Sequence, residues 1–279
     1  MNIIDGRKIA KQIREDIAKE VKTFERPPGL AVILVGEDPA SAVYVRNKEL
    51  ACIEAGFFSD KIIKSENTTQ EELLDEIERL NNNPRIDGIL VQLPLPSHID
   101  SSKVIEHISP NKDIDGFHSE NIGKLTQNKS NLRPCTPKGV MTMLASIGCE
   151  VRGKDCVVVG ASNIVGRPMA LELLNAGGTV TICNSKTKDT AEKTRNADII
   201  VVGVGIPKLV KGDWVKDGAI VIDVGINRLD DGSLVGDVDF DAIKEKAAGI
   251  TPVPGGVGPM TIATLLENTV IAYKENQSS

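Results

Sequence analysis

The chain has 279 residues, 41% of them apolar and 26% charged, with a formal net charge of −6. That length suits two modest domains, each able to bury a core without staples, and the composition is that of a globular protein, with disorder expected only at the tail, Asn276 to Ser279. No Lys/Arg block stands out, so binding to nucleic acid or a membrane through a basic patch finds no support.

Ile9, Ile13, Ile17 and Val21 predict a first amphipathic helix, stopped by Pro27-Pro28-Gly29. Leu30 to Val35 is a continuous apolar run, as in a strand buried on both faces. A helix is expected from about Ala40 to Ala55, closed by Gly56, then a second strand over Lys61 to Ser65. Glu71 to Asn82 reads as a helix with Leu73, Leu74, Ile77 and Leu80 on one face, and Gly88 to Leu93 as a third strand stopped by Pro94-Leu95-Pro96. Strands alternating with helices imply a parallel sheet with right-handed crossovers.

Asn, Lys, Ser and Pro concentrate over residues 120–140, where the boundary between two lobes is expected. The plan then repeats. Strands are predicted at Cys156 to Val159, Thr179 to Cys183, Ile199 to Val202 and Ala219 to Val224, with helices between the first three. Asp230-Asp231-Gly232 between two short apolar stretches reads as a hairpin. A last helix, Met260 to Lys274, follows a Gly/Pro-rich loop, Thr251 to Pro259. The fold class is therefore α/β with two lobes: residues 1–138 with the final helix 260–279, and a Rossmann-type lobe over 139–259.

The strongest physical signal is the strand Val157-Val158-Val159 running into Gly160-Ala161-Ser162-Asn163-Ile164-Val165-Gly166-Arg167-Pro168. A glycine turn between strand and helix aims free backbone N–H groups and the positive helix end at a phosphate. The spacing is not the standard G-x-G-x-x-G: Ser162 takes the middle position, where it can cap the helix, and Gly166 can let the helix lie close to the sheet. NAD-specific sites place an acid at the end of the next strand. Here that end reads Cys183-Asn184-Ser185-Lys186-Thr187, with no acid. Ser185 and Lys186, helped by Arg167, would welcome a 2′-phosphate, which favours NADP; the plainer reading makes Lys186 a solvated loop charge.

In the N-terminal half, Tyr44 and Lys48 stand four apart on one helix face, as a surface pair or as part of a site. Gln92 ends a buried strand, where α/β sheets bind ligands or where it simply caps the loop. In Pro110-Asn111-Lys112-Asp113-Ile114-Asp115-Gly116, either Asp113 or Asp115 is a candidate ligand group, or both hold the turn. Pro252-Val253-Pro254-Gly255-Gly256-Val257-Gly258-Pro259-Met260-Thr261 carries more special residues than a simple connection needs, suggesting backbone that approaches a ligand closely.

Taken together, Tyr44-x-x-x-Lys48, Val91-Gln92-Leu93-Pro94-Leu95-Pro96, Asp113-Ile114-Asp115-Gly116, Gly160-x-Ser162-x-x-x-Gly166-Arg167-Pro168 and Pro252 to Thr261 give the chain an end-to-end resemblance to the bifunctional methylenetetrahydrofolate dehydrogenase/methenyltetrahydrofolate cyclohydrolase family. The resemblance implies hydride transfer from 5,10-methylenetetrahydrofolate to NADP⁺, then hydrolysis of the methenyl cation to 10-formyltetrahydrofolate. It implies two lobes facing a cleft, a last helix that returns to the N-terminal lobe, and a homodimer whose cofactor lobes pair. It makes Lys48 the catalytic lysine of the hydrolytic step, helped by Gln92, with Tyr44 stacking on the folate ring and Asp115 on the pterin's amino-pyrimidine edge. Pro254, Gly255 and Gly256 would line the substrate cleft. Gly160, Ala161, Ser162, Ser185 and Ile226 would touch the cofactor, with Thr136 and Thr261 near the nicotinamide. The chain departs from the family at Asn184, where members often carry His.

Two alternatives are kept. A shikimate-dehydrogenase-like oxidoreductase shares the lobe order and NADP but would lack the Pro-Val-Pro-Gly-Gly stretch; a non-enzymatic NAD(P)-sensing module would not need Lys48. The five cysteines form no C-x-x-C pair and the three histidines no H-x-x-x-H pair, so buried thiols are expected and a metal site is not. With no signal-like N-terminus and no run of eighteen apolar residues, the expected location is the cytoplasm.

Overall fold

The computed structural model describes residues 3–277. In chain order the elements are α1 (Gly6–Val21), β1 (Gly29–Val35), α2 (Pro39–Ala55), β2 (Phe58–Lys64), α3 (Gln70–Asn81), β3 (Gly88–Val91), α4 (Ser101–His107), α5 (Ser119–Thr126), α6 (Cys135–Ser146), β4 (Asp155–Val159), α7 (Gly166–Asn175), β5 (Thr179–Cys183), α8 (Thr190–Arg195), β6 (Ile199–Val202), β7 (Ile220–Asp223), β8 (Asn227–Arg228), β9 (Leu234–Val235), α9 (Phe240–Ile243), β10 (Gly249–Ile250) and α10 (Val257–Gln277). They form two compact units. The first comprises Lys11–Cys135 and the chain from Ile262 onward; the second comprises the residues up to Ala10 and Thr136–Thr261.

The first unit is built on a parallel sheet of order β2-β1-β3. Every residue of β1 is buried, and its two faces follow the period of two. Leu30, Val32 and Leu34 pack with Ile17 and Val21 of α1, Val45 and Cys52 of α2, and Leu265, Leu266 and Val270 of α10. Ala31, Ile33 and Val35 pack with Leu73, Ile77 and Leu80 of α3. The last helix thus packs within the N-terminal unit. Tyr273 stacks on Phe24 with ring centroids 4.6 Å apart, and the Asn268 amide donates to the carbonyls of Ile114 and Arg133.

A buried carboxylate ties the N-terminal end of β1 to the loop before β3. Asp87 accepts two bonds from the Arg26 guanidinium, both 2.7 Å, and one from the Gly29 N–H. Asp87→Ala leaves that N–H without its acceptor and the guanidinium with only the carbonyls of Pro27 and Pro84. The expected cost is about 2–4 kcal/mol, seen as a lower denaturant midpoint at unchanged slope.

The second unit is a five-stranded parallel sheet of order β10-β7-β6-β4-β5, with a separate hairpin of β8 and β9. Its apolar strands β4, β6 and β7 share a core with Val210, Val238 and Ile243. The strand order reverses at β4: the chain passes from β4 to β5 on one side and then to β6 on the other. The glycine turn after β4 therefore lies at the topological switch point, where doubly wound sheets bind ligands.

Several expectations need correction. The first helix stops at Val21, well before Pro27, and β2 begins at Phe58, because Phe58 already pairs with Gly29. Strand β3 ends at Val91, although the Gln92 N–H still bonds the Ile33 carbonyl. Within the segment 120–140 the two units divide between Cys135 and Thr136. The segment also holds α5, whose start is capped by the His118 ring accepting from the Glu120 N–H, and the beginning of α6. The final helix begins at Val257, so the preceding loop is shorter than expected, and it includes Asn276, which accepts a bond from Asn111. Of the tail expected to be disordered, Ser278 and Ser279 lie outside the described residues.

Candidate active site

In the first unit the strand order again reverses at its first strand, so the loops after β1 and β3 flank a switch point. The loop after β1 leads into α2, started by Pro39 and capped by Asp38, whose carboxylate accepts from the Ser41 N–H at 2.7 Å. This helix carries Tyr44 and Lys48. Tyr44 is 39% exposed while Lys48 is buried, so the pair is not the solvated surface pair that spacing alone allows.

The Lys48 ammonium donates to Gln92 Oε1 at 3.0 Å. The Gln92 amide N–H in turn donates to the Leu93 carbonyl at 2.7 Å, which turns the acceptor oxygen toward the lysine. Gln92 is therefore an oriented partner rather than a loop cap alone.

The turn after residue 110 separates its two acids. Asp113 bridges to Ile89 beside β3 and is almost wholly buried. Its carboxylate accepts from the N–H groups of Gly116 and His118 and from the Asn121 amide. Asp113 holds the turn, and burial still pushes its carboxyl above the ordinary range. Asp115 has a different environment. Desolvation raises its carboxyl to about 6, while the Lys48 charge pulls the other way. Lys48, Gln92 and Asp115 thus form one cluster at the carboxyl end of the sheet. Cys135 adjoins it, its thiol donating to the Ile114 carbonyl at 3.2 Å; a lone cysteine gave no sign of this in the sequence.

In the second unit the turn after β4 is tight. Gly160 has φ +126°, and a Cβ there would lie 2.3 Å from the Gly203 carbonyl oxygen. A Cβ on Gly166 would lie 2.1 Å from the Gly160 oxygen, so helix α7 sits against the turn at a distance only glycine permits. Ser162 Oγ accepts from the N–H groups of Val165 and Gly166, at 3.2 and 3.3 Å, as expected of a capping residue. Arg167 folds back so that its Nε donates to the Ala161 carbonyl. The Gly160 N–H bonds the Cys183 carbonyl, which brings the residues after β5 beside the turn. There Ser185 and Lys186 are exposed, and Asn184 Oδ1 accepts from the Lys186 N–H at 2.9 Å. Such a cradle, with a hydroxyl and an ammonium at its edge and no acid, fits a dinucleotide carrying a 2′-phosphate.

The remaining candidates form a second group in this unit. The hydroxyls of Thr136 and Thr261 are 2.9 Å apart, and Ile226 is 44% exposed, with its Cδ1 3.6 Å from where a Cβ on Gly258 would be. The loop before α10 has a structural need that its sequence does not reveal. A Cβ on Gly6, at the start of α1, would lie 1.8 Å from the Gly256 oxygen, and the Arg7 N–H bonds the Gly255 carbonyl. Gly255 has φ +109°, and Gly256 packs on Thr251 and Pro252. Gly255 thus packs on Arg7 of α1 and Gly256 on its own loop, while Pro254 is exposed. Among the described residues no group of three or more His, Cys, Asp or Glu could hold a metal ion, and no helix is long and apolar enough to cross a membrane.

Two parallel α/β units, one with a lysine–glutamine–aspartate cluster and one with a dinucleotide turn, each at a switch point, define a two-domain nucleotide-dependent enzyme. Two family models match the chain: the tetrahydrofolate dehydrogenase/cyclohydrolase catalytic domain over residues 4–115, and the NAD(P)-binding domain of the same family over residues 134–277. The chain belongs to the tetrahydrofolate dehydrogenase/cyclohydrolase family. It is 67% identical over 274 residues to the bifunctional protein FolD of Ruthia magnifica, covering 98% of this chain and 99% of that one. It also superimposes on the crystal structure of the bifunctional enzyme FolD from Campylobacter jejuni, with a TM-score of 0.97, 51% identity and 99% of each chain covered. The Trypanosoma brucei enzyme, solved with NADP and an inhibitor, gives a TM-score of 0.95 at 41% identity over 99% of this chain and 98% of that one. Shikimate dehydrogenases from Aquifex aeolicus and Thermus thermophilus, at 17% and 14% identity with TM-scores of 0.51 and 0.54, share the fold alone.

Proposed function

We propose that the chain oxidises 5,10-methylenetetrahydrofolate to 5,10-methenyltetrahydrofolate with NADP⁺ and then hydrolyses the methenyl cation to 10-formyltetrahydrofolate. The observation that carries the reading is the buried Lys48 ammonium on Gln92 at 3.0 Å, with the Asp115 carboxyl near enough to feel its charge. In this reading the first unit, Lys11–Cys135 with the chain from Ile262 onward, binds folate, and the second binds the dinucleotide. Asp115 accepts the donor edge of the pterin and Tyr44 stacks on its ring. Pro254, Gly255 and Gly256 border the substrate.

Bound in the second unit, NADP⁺ would supply the acceptor for the hydride of the methylene carbon. Gly160, Ala161 and Ser162 offer backbone and hydroxyl donors to its phosphates. Ser185, Lys186 and Arg167 would take the 2′-phosphate, Ile226 would touch the cofactor, and Thr136 and Thr261 would lie near the nicotinamide. The hydride step needs the two reacting carbons held together, which is a positioning task.

The hydrolytic step needs a proton relay. The methenyl cation repels a nearby ammonium, so Lys48 can give up a proton and then take one from the attacking water, while Gln92 fixes its amine. The C–O bond forms at the methenyl carbon as Lys48 takes one proton of the water. The new hydroxyl then loses its second proton as the C=O bond forms, and the pterin ring nitrogen gains a proton as its C–N bond breaks, leaving the formyl group on the other nitrogen and one net proton released.

We further infer a homodimer through the second unit. Its edge strand β5 leaves Ile182 43% exposed and the adjoining α7 leaves Leu174 56% exposed. The free thiols are in keeping with a reducing cytoplasm.

The test is to mix the purified protein with 5,10-methylenetetrahydrofolate and NADP⁺ and to follow NADPH and the methenyl product by absorbance. NADPH with little methenyl build-up is expected. No NADPH with either NADP⁺ or NAD⁺ overturns the reading.

A further inference from the structure

At the carboxyl ends of β6 and β7 the second unit buries two acids that no step above uses. Asp223 ends β7 and is 3% exposed; Asp237 follows β9 and is wholly buried. Asp223 Oδ1 accepts from the N–H groups of Gly225 and Asp237, both at 3.0 Å, and Oδ2 from that of Val238 at 2.9 Å. Asp237 Oδ2 accepts from the N–H groups of Val204 and Gly205 at 2.6 and 2.9 Å, and Oδ1 from the Asn227 amide at 2.8 Å. All six partners are uncharged donors.

The space is shaped for carboxyl groups. A Cβ on Gly225 would fall 2.2 Å from Asp237 Cγ, and one on Gly236 would fall 1.8 Å from Asp223 Oδ2. Burying two carboxylates without a cation is costly, so the arrangement calls for a reason beyond closing a hairpin. The reason lies in what the pair holds. Gly225 is fixed by Asp223 and Asn227 by Asp237, and between them stands the half-exposed Ile226. Val204 and Gly205 begin the loop after β6. These loops lie at the strand ends where doubly wound sheets bind their ligands.

We propose that Asp223 and Asp237 are positioning residues for the dehydrogenase reaction, clamping the loops after β6 and β7 so that Ile226 presents a fixed surface to the nicotinamide end of NADP⁺. The proposal rests on the reading of the second unit as the dinucleotide-binding one. Loosening the clamp affects cofactor affinity and hydride transfer, whereas hydrolysis of methenyltetrahydrofolate depends on the Lys48 cluster in the other unit.

The experiment compares wild type, Asp237→Asn and Asn227→Ala in both half-reactions. Trp214, the chain's single tryptophan, reports by fluorescence on folding of the second unit. Asn227→Ala removes one donor and leaves both acids in place. It is expected to raise KM for NADP⁺ about threefold to tenfold and lower dehydrogenase kcat, with KM for folate, the hydrolytic rate and the Trp214 spectrum kept. Asp237→Asn turns an amide N–H toward N–H donors and is expected to raise KM for NADP⁺ by roughly tenfold or more. Folded variants with wild-type KM for NADP⁺ and wild-type dehydrogenase kcat overturn the proposal. Equal losses in both half-reactions overturn it too, since they mark a purely structural pair. Should Asp237→Asn not fold, Asn227→Ala decides alone. A wild type that makes no NADPH fails the underlying reading instead, and the proposal with it.

Discussion

Lys48→Met is expected to slow hydrolysis of added methenyltetrahydrofolate by about 10²- to 10⁴-fold, the usual contribution of a placed proton-transfer group. Hydride transfer should continue, so that methenyltetrahydrofolate accumulates beside NADPH. Methionine keeps the length and apolar stem of lysine, which limits the packing loss at a buried position. What it removes is the ammonium on Gln92 and the positive charge that holds the Asp115 carboxyl down. The variant therefore carries a second signature: Asp115 protonates more readily, and KM for folate rises at mildly acidic pH. Paired assays of the two half-reactions check this. Hydrolysis at the wild-type rate would remove Lys48 from the mechanism, and an equal fall in both activities would make its role structural.

The central strands β1 and β6 were legible because they are apolar runs buried from end to end, whereas β2, broken by Ser59, Asp60 and Lys61, was expected three residues too late. Ile199 to Val202 falls where the sequence places it, since a strand buried in a parallel sheet has no polar face to blur its ends. Thr179 to Cys183 also falls where expected, although it is an edge strand exposed over most of its length. Short helices were not legible. Both α4 and α5 have fewer than three turns, and their starts are fixed by side chains, Asp100 and His118, that also suit an ordinary loop. The site shows the same division. Tyr44, Lys48 and Gln92 sit at positions where helix period and strand end predict a shared face. The choice between Asp113 and Asp115 needed the structure, because it depends on which carboxylate the N–H groups of Gly116 and His118 and the Asn121 amide occupy. The glycines at 255 and 256 read as room for a ligand; what the pattern does not show is that Gly255 also lies against Arg7 of α1, some 250 residues earlier in the chain, and Gly256 against Thr251 and Pro252. Asp223 went unnoticed because it falls within the predicted strand Ala219 to Val224, and Asp237 because an acid beside a glycine reads as a turn. Three of their partners, Val204, Gly205 and Val238, belong to apolar or glycine stretches that carry no polar signal.

Folate binding is expected to weaken as pH falls through about 6, because the raised Asp115 carboxyl loses its charge there. Desolvation is the main cause of the raised value, and it sets the sign. In the free protein ionisation of Asp115 costs stability. The contribution of this group is fully present below the ordinary carboxylate value of 3.8 and is lost as pH rises through about 6. A bound pterin reverses the preference, since its N–H donors bond the carboxylate and not the acid. KM for 5,10-methylenetetrahydrofolate should be flat above pH 7 and rise roughly tenfold per unit well below 6. Asp115→Asn keeps the shape but not the charge. Losing charge-assisted bonds of about 1.5–3 kcal/mol should raise KM roughly 10- to 150-fold at pH 7.5 and abolish the acidic limb. KM measured against pH for both forms decides the matter. A variant that keeps the wild-type limb would assign the titration to another group, and a wild-type KM at every pH would leave Asp115 outside the folate site. In Lys48→Met the limb should move to higher pH, because the lysine charge that opposes protonation is gone. That displacement would tie the two residues to one site through their charges, independently of which of them moves the proton.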